Sequence, residues 1–219
     1  MGEYRRPQLS RQSYRDGEGR AIEYGRRWKG DSPPDVAYSR VDHPERFAPL
    51  HVVAAALIEW LRSTFDVVVE QGQEMAVDLI RQPDEVTEAV RIIPRNPTAA
   101  RLTFVLTSFP GVYLHAGSLH DFHFPVCGCD ACDDEVEDLV DDFEWTVRTV
   151  VKGGYSEHLD TWPAHSVEYR LNDPGLGIQS GRTGIEELPE GRVKVAQTAI
   201  PGNGQWVPWE KPPKDDTVN

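Results

Sequence analysis

Apolar residues recur at helical spacing in two parts of the chain. Between Leu50 and Leu61 they fall at Val53, Ala54 and Leu57, which form one face of a helix. A second run keeps the same spacing and ends before Gly153-Gly154, a pair typical of a helix end. Its members are Val136, Leu139, Val140, Phe143, Val147, Val150 and Val151. The sequence therefore predicts two principal helices.

Other segments alternate or cluster their apolar residues as strands do. They are 67–69, 89–93, 101–108, Val112–Ala116, His120–Phe124 and 167–171. Pro110-Gly111 has the composition of a tight turn, which joins two of these strands as a hairpin. The glycine-rich stretch 174–184 is predicted to be a loop. We therefore predict an α+β fold, a mainly antiparallel meander sheet with the two helices packed on it.

The 219 residues are predicted to form a single domain with two distinct ends. Residues 1–29 carry more basic than acidic side chains and lack hydrophobic periodicity, so we predict a mobile or loosely packed basic segment that the acidic body attracts. Residues 30–205 are assigned to the α+β domain. Residues 206–219 are assigned to a tail rich in proline and charge, which is predicted to be solvated beyond Trp209.

Asp and Glu number 36 against 23 Lys and Arg, which gives a net charge of −13. Surfaces that bind nucleic acid need the opposite excess, so no nucleic-acid partner is expected. The longest apolar run, 52–58, is much shorter than the roughly twenty residues of a membrane span, and no secretory signal is visible. We expect a cytoplasmic protein with a protein or small-molecule partner of unknown identity.

The first part of the second predicted helix is strongly acidic. A stripe of carboxylates can collect divalent cations or a basic partner, but acids are also favoured on a solvated face near a helix amino end. We expect the solvated face. The acids are Asp133, Asp134, Glu135, Glu137, Asp138, Asp141, Asp142 and Glu144.

All three cysteines of the chain lie in one C-x-C-x-x-C run, at Cys127, Cys129 and Cys132. Thiolates at this spacing can converge on one cation, and Gly128 permits a tight turn between them. Structural Zn²⁺ takes four tetrahedral ligands, so a histidine is expected to complete the set. The candidates are His123 and His120, which alternate to opposite faces if His120–Phe124 is a strand. We predict a structural zinc site in the cysteine run.

Other interpretations of the cysteines stay open at this stage. One alternative is plain reduced loop thiols, and another is a redox pair, since Cys129 and Cys132 have C-x-x-C spacing. An iron–sulfur cluster is disfavoured because it needs four cysteines. The leading function is a non-enzymatic binding or regulatory protein with a metal-stabilised loop. The alternative is a thiol- or metal-dependent hydrolase that uses His115, His120 and Cys127.

Three segments together resemble an uncharacterised family, the domain-of-unknown-function proteins of actinobacteria. They are Ala21-Ile22-Glu23-Tyr24-Gly25-Arg26-Arg27-Trp28, the run from His43 to His51, and the run from Phe109 to Cys132. The last contains Phe124-Pro125-Val126-Cys127-Gly128-Cys129-Asp130-Ala131-Cys132, the most distinctive motif. The resemblance extends over about residues 3–209. It implies a bacterial cytosolic protein and brings no activity or catalytic residue with it.

Overall fold

The computed structural model describes residues 3–10 and 12–213. Within them the chain forms ten strands and three α-helices. The strands are β1 (Tyr14–Arg15), β2 (Ala21–Ile22), β3 (Val67–Gln71), β4 (Val86–Pro94), β5 (Leu102–Thr107), β6 (Val112–Ala116), β7 (His120–Phe124), β8 (Tyr155–Asp160), β9 (Ser166–Asp173) and β10 (Gly177–Gly184). The helices are α1 (Pro49–Thr64), α2 (Val136–Val151) and α3 (Arg192–Ala199). Short 3-10 turns include Asp35–Ser39, Pro44–Phe47 and Gln73–Asp78.

The main sheet has five antiparallel strands in the order β3-β4-β5-β6-β7, so each strand pairs with its neighbour in sequence. The predicted meander is therefore confirmed, as is the α+β class. The β5–β6 hairpin places Val105 opposite Tyr113 and Leu106 opposite Val112. This register follows from the turn at Pro110-Gly111 and from the alternation of the two strands.

Helices α1 and α2 cover one face of this sheet, as predicted. Leu102, Phe104 and Leu114 project from the sheet into a core that also contains Leu57 of α1 and Phe143 of α2. The alternate residues of the strands lie on the opposite face, because successive side chains of a strand point to opposite sides. No helix among the described residues is both long and apolar enough to cross a membrane.

The prediction of a loop over residues 174–184 is wrong from residue 177 onward, while residues 174–176 form a turn. Gly177–Gly184 is the strand β10, paired antiparallel with β9 along its whole length, from Gly177 opposite Asp173 to Gly184 opposite Ser166. It forms the edge of a second sheet of order β10-β9-β8. The strand contains three glycines and several polar residues, so its sequence lacks the apolar alternation by which strands are recognised. Backbone hydrogen bonds to β9, rather than a buried apolar face, hold these residues as a strand.

Both ends of the described chain contact the body of the protein. Arg6 pairs with Glu144 of α2 at 2.6 Å, in line with the expected attraction between the basic segment and the acidic body. At the other end, Trp206 and Trp209 are buried in the main core, and the indole N–H of Trp209 donates to the carbonyl of Ala100. The boundaries at 29/30 and 205/206 stay predictions. Residues 1, 2, 11 and 214–219 of the predicted end segments lie outside the described residues.

Candidate metal centre

The cysteine run folds into a short loop between β7 and α2 that brings its three sulfurs together. The ligand atoms of Cys127, Cys129 and Cys132 all lie within 4.8 Å of one another, and the Sγ atoms of Cys129 and Cys132 are 3.6 Å apart. A turn sets this spacing, in which the N–H of Cys132 donates to the carbonyl of Cys129 at 3.2 Å. The predicted convergence of the cysteines is therefore confirmed.

Gly128 has a specific role in this loop, although a different one from the tight turn that the sequence suggested. A Cβ at this position would collide with the ring of Phe109, which follows β5. The Phe109 ring in turn packs against Phe47 at a centroid distance of 5.6 Å. Glycine therefore allows the cysteine loop to approach the aromatic pair at the end of the main sheet.

The three thiols differ in their exposure to solvent. Cys129 is buried, whereas Cys127 and Cys132 are exposed. All three are free cysteines. A cation bound by the three sulfurs would therefore be anchored from the protein side through Cys129 and would be reached from solvent past the other two.

The pKa values of the Cys129 and Cys132 thiols are shifted in opposite directions. Burial opposes ionisation of Cys129, but hydrogen bonds with the Cys127 thiol and the backbone N–H groups of Cys132 and Ala131 hold the pKa of its thiol below the ordinary value. Burial raises the pKa of Cys132 to about 12, and its hydrogen bonds to Cys129 and Cys127 act in the same direction. A lowered thiol pKa favours metal binding, because metals bind the deprotonated form.

Asp130 fixes the loop to the segment that precedes α1. Its fully buried carboxylate accepts hydrogen bonds from Nε of Arg40 at 3.0 Å and from the N–H of Asp42 at 2.9 Å. Arg27 lies 3.3 Å from the same carboxylate. Burial opposes ionisation of Asp130, but the Asp42 N–H and the two guanidinium groups outweigh it and hold its pKa below the ordinary value.

Backbone contacts extend this attachment on both sides of Asp130. The N–H of Asp130 donates to the carbonyl of Arg40, and the N–H of Ala131 donates to that of Ala37. The indole N–H of Trp28 donates to the carbonyl of Asp130, and the N–H of Gly25 to that of Asp133. The cysteine loop and residues 25–42 therefore form one hydrogen-bonded unit, which the local sequence pattern did not indicate.

The acidic stretch is not uniformly the solvated face that the sequence suggested. Asp133 and Glu144 are buried. Asp133 accepts a hydrogen bond from the N–H of Arg27, and Glu144 accepts one from the hydroxyl of Tyr4 at 2.7 Å. For these two acids the solvated-face interpretation is wrong, because segments distant in sequence cover them. Glu135, Asp138, Asp141 and Asp142 are exposed, as expected.

The predicted histidine ligands lie on β7, and neither belongs to the group of ligand atoms formed by the sulfurs. His123 packs against Tyr113 at a ring distance of 4.5 Å, and His120 stacks on Tyr169 at 3.6 Å. Burial lowers the pKa of both imidazoles, that of His120 to about 3. The assignment of His123 or His120 as fourth ligand stays a prediction.

His115, the third histidine of the hydrolase alternative, belongs to a polar row across the main sheet. The cross-strand partners in this row are Glu70, Arg91, Thr103, His115 and Asp121. Nδ1 of His115 lies 2.7 Å from the Asp121 carboxylate, and the imidazole is fully buried. Among the described residues, His115, His120 and Cys127 do not form a ligand or hydrogen-bonded group.

Asp78, from the 3-10 turn Gln73–Asp78, covers this polar row. Its carboxylate accepts hydrogen bonds from Thr103 at 2.6 Å and from Arg91 at 2.9 Å. Burial opposes ionisation of Asp78, but Arg91 and Thr103 outweigh it and hold its pKa below the ordinary value. The row is closed to solvent at Thr103 and His115, and its hydrogen bonds to Asp78 tie the turn to the sheet. Nε2 of His115 has no hydrogen-bond partner among the described residues.

Comparison with known proteins identifies the family. No curated protein and no solved structure matches the chain. Over residues 10–213 the sequence matches the family described as "Family of unknown function (DUF6226)". The resemblance to an uncharacterised family is confirmed to that extent, while the actinobacterial origin and the cysteine motif as a family signature stay predictions. Because the match covers nearly the whole sequence, the chain belongs to this family of unknown function.

Proposed function

We propose that this protein is a non-enzymatic binding or regulatory protein whose cysteine loop holds one Zn²⁺ through Cys127, Cys129 and Cys132. The 3.6 Å separation of two Sγ atoms within the three-sulfur group carries the proposal. Zinc–sulfur bonds of about 2.3 Å place the sulfurs of a tetrahedral site about 3.8 Å apart. The sulfur spacing therefore suits a single ion. Thiolates also select thiophilic cations such as zinc over Mg²⁺ or Ca²⁺.

The bound ion would stabilise a larger unit than its own loop. Asp130, between two of the ligands, pairs with Arg40 and Arg27, so order in the cysteine loop supports the packing of residues 25–42. Binding energy at such a site adds to folding energy. The main core between the sheet and the helices α1 and α2 does not depend on the loop, so metal removal would loosen the unit without unfolding the domain.

The proposal extends to the compartment, the kind of partner and the source of the protein. Three thiols remain available to a metal in a reducing compartment, which supports a cytoplasmic protein. The net charge of −13 favours a protein or small-molecule partner over nucleic acid. The resemblance noted above supports a bacterial source.

A titration of the metal-free protein with Zn²⁺, in competition with a chromophoric chelator, tests the proposal. We expect one zinc per chain, and a loss of affinity of at least about tenfold in Cys129→Ser, which removes the buried ligand. Val126→Ala is the matched control, since Val126 is 83% exposed in the same loop. Zinc binding that is absent, or that is equal in Cys129→Ser and in the unaltered chain, would overturn the proposal.

A further inference from the structure

The proposed zinc has three protein ligands in place and a fourth position to fill. Among the described residues, the group of neighbouring Cys, His, Asp and Glu ligand atoms consists of the three sulfurs. Zinc sites with three protein ligands keep the fourth position for water or for an external molecule, whereas closed structural sites use four protein ligands. The composition of the group therefore corresponds to an open site.

Two of the three sulfurs leave the proposed ion open to solvent. Cys129 is buried and Cys127 and Cys132 are exposed, so the ion would lie on the outer side of the buried sulfur. Asp130, next to Cys129, is fully buried and is bound by Arg40. An external ligand would therefore reach the ion from the side of Cys127 and Cys132.

A cleft adjoins Cys132, one of the two exposed cysteines. It has a volume of about 620 Å³, and Cys132 and the indole of Trp28 are among the residues that line it. Small-molecule sites have volumes of roughly 300–1,000 Å³. The cleft is therefore large enough for a compound that reaches the metal past Cys132.

The walls of the cleft carry charges of both signs. Arg26 and Lys29 supply cations, and Glu23 and Asp31 supply carboxylates, all on exposed side chains. A ligand with a carboxylate and an ammonium group can pair with both sets. A thiophilic ion with three thiolates also favours sulfur as a further donor.

We infer that the metal centre binds an amino-acid thiol from solution, whose sulfur takes the fourth coordination position while its charged groups pair with the walls of the cleft. This inference rests on the proposed function. The thiol binds as a thiolate, because coordination to the metal removes its proton. The new bond joins sulfur to the metal, the water at that position leaves, and the proton passes to solvent.

Cobalt substitution with L-cysteine as the probe tests the inference. Sulfur-to-cobalt charge-transfer absorption should rise by about one third as three Co–S bonds become four. The rise should saturate, release one proton per site and leave cobalt on the protein after gel filtration. L-serine, which differs by oxygen in place of sulfur, should cause no rise. The double variant Arg26→Ala/Lys29→Ala should bind cobalt normally and L-cysteine at least about tenfold more weakly.

The other outcomes separate the two proposals. Failure to bind cobalt overturns the proposed function itself. Cobalt that binds but does not respond to L-cysteine overturns only the inference, as does transfer of cobalt to the small-molecule fraction. A spectrum altered by His123→Asn or His120→Asn before any L-cysteine is added would identify a histidine as the fourth ligand and would likewise overturn the inference.

Discussion

The carboxylate of Asp130, which directly follows Cys129, accepts a hydrogen bond of 3.0 Å from Nε of Arg40. Arg46 approaches the same carboxylate, and its guanidinium also donates to the carbonyl of Gly128. The residue between two proposed metal ligands is therefore the point at which the cysteine loop is attached to the chain before α1. This attachment couples the geometry of the sulfurs to the fold.

Replacement of Asp130 by Asn should destabilise the protein and weaken zinc binding together. The substitution removes the carboxylate charge that faces Arg46, which is 2% exposed, and leaves Arg27, which is 12% exposed, with Asp42 alone as an anionic partner among the described residues. The loss of one member of a buried ion pair costs about 3 kcal/mol. Urea unfolding and zinc titration of Asp130→Asn measure both effects. Asp84→Asn, at an exposed position before β4, is the control and should change neither. Unaltered zinc affinity in Asp130→Asn would show that the attachment does not organise the sulfurs.

Asp78→Asn should lower the free energy of unfolding by about 3 kcal/mol at pH 7, because Arg91 and Thr103 lose their buried carboxylate partner. The folded-state pKa of Asp78 lies below the unfolded value of 3.8. The stability from this carboxylate is therefore present above pH 3.8 and is lost as the pH falls through the folded-state pKa. Urea unfolding from pH 7 to pH 2 should show the difference from the unaltered chain shrinking in acid. A difference that is constant with pH would contradict this account of Asp78.

Glu144→Gln should weaken the attachment of the amino-terminal segment to α2. Glu144 is buried and accepts hydrogen bonds from Tyr4 and from Arg6, whose Nε lies 3.0 Å away. Loss of the charge should cost about 1.5 kcal/mol and speed tryptic cleavage after Arg5, since the bond after Arg6 precedes Pro7 and resists trypsin. Asp138→Asn, at an exposed position on the same helix, should stay within about 0.5 kcal/mol of the unaltered chain. Equal effects of the two substitutions would mean that the whole acidic stretch acts as a solvated face.

The bounds of α2, β6 and β7 could be predicted from the sequence to the residue, whereas α1 extends at both ends beyond its apolar run 50–61. The apolar spacing from Val136 to Val151 and the following Gly153-Gly154 gave the bounds of α2, and alternation gave those of β6 and β7. Strand β10 could not be recognised, because its glycines and polar residues carry no apolar pattern and its partner β9 forms the strand by backbone pairing. Local patterns report on side-chain burial, and an edge strand needs little of it.

The candidate site was predictable only where its residues are close in sequence. The three cysteines lie within six positions, so their convergence follows from a short turn. The contact between Asp130 and Arg40 joins positions 90 residues apart, and no local pattern indicates it. Contacts between strands are equally hidden from local patterns. The sequence predicted β6 and β7 correctly, but it did not show that the ring of His123 packs against Tyr113 on the neighbouring strand.

Metal analysis of the chain purified without a histidine tag tests the central claim most directly. We expect one zinc per chain, held by Cys127, Cys129 and Cys132, and a loss of that zinc in Cys129→Ser. Chelator should lower the melting temperature without unfolding the main core, since the core around Phe104 and Phe143 lies outside the loop. Metal-free protein with three freely reactive thiols, and with a melting temperature that chelator does not change, would contradict this claim.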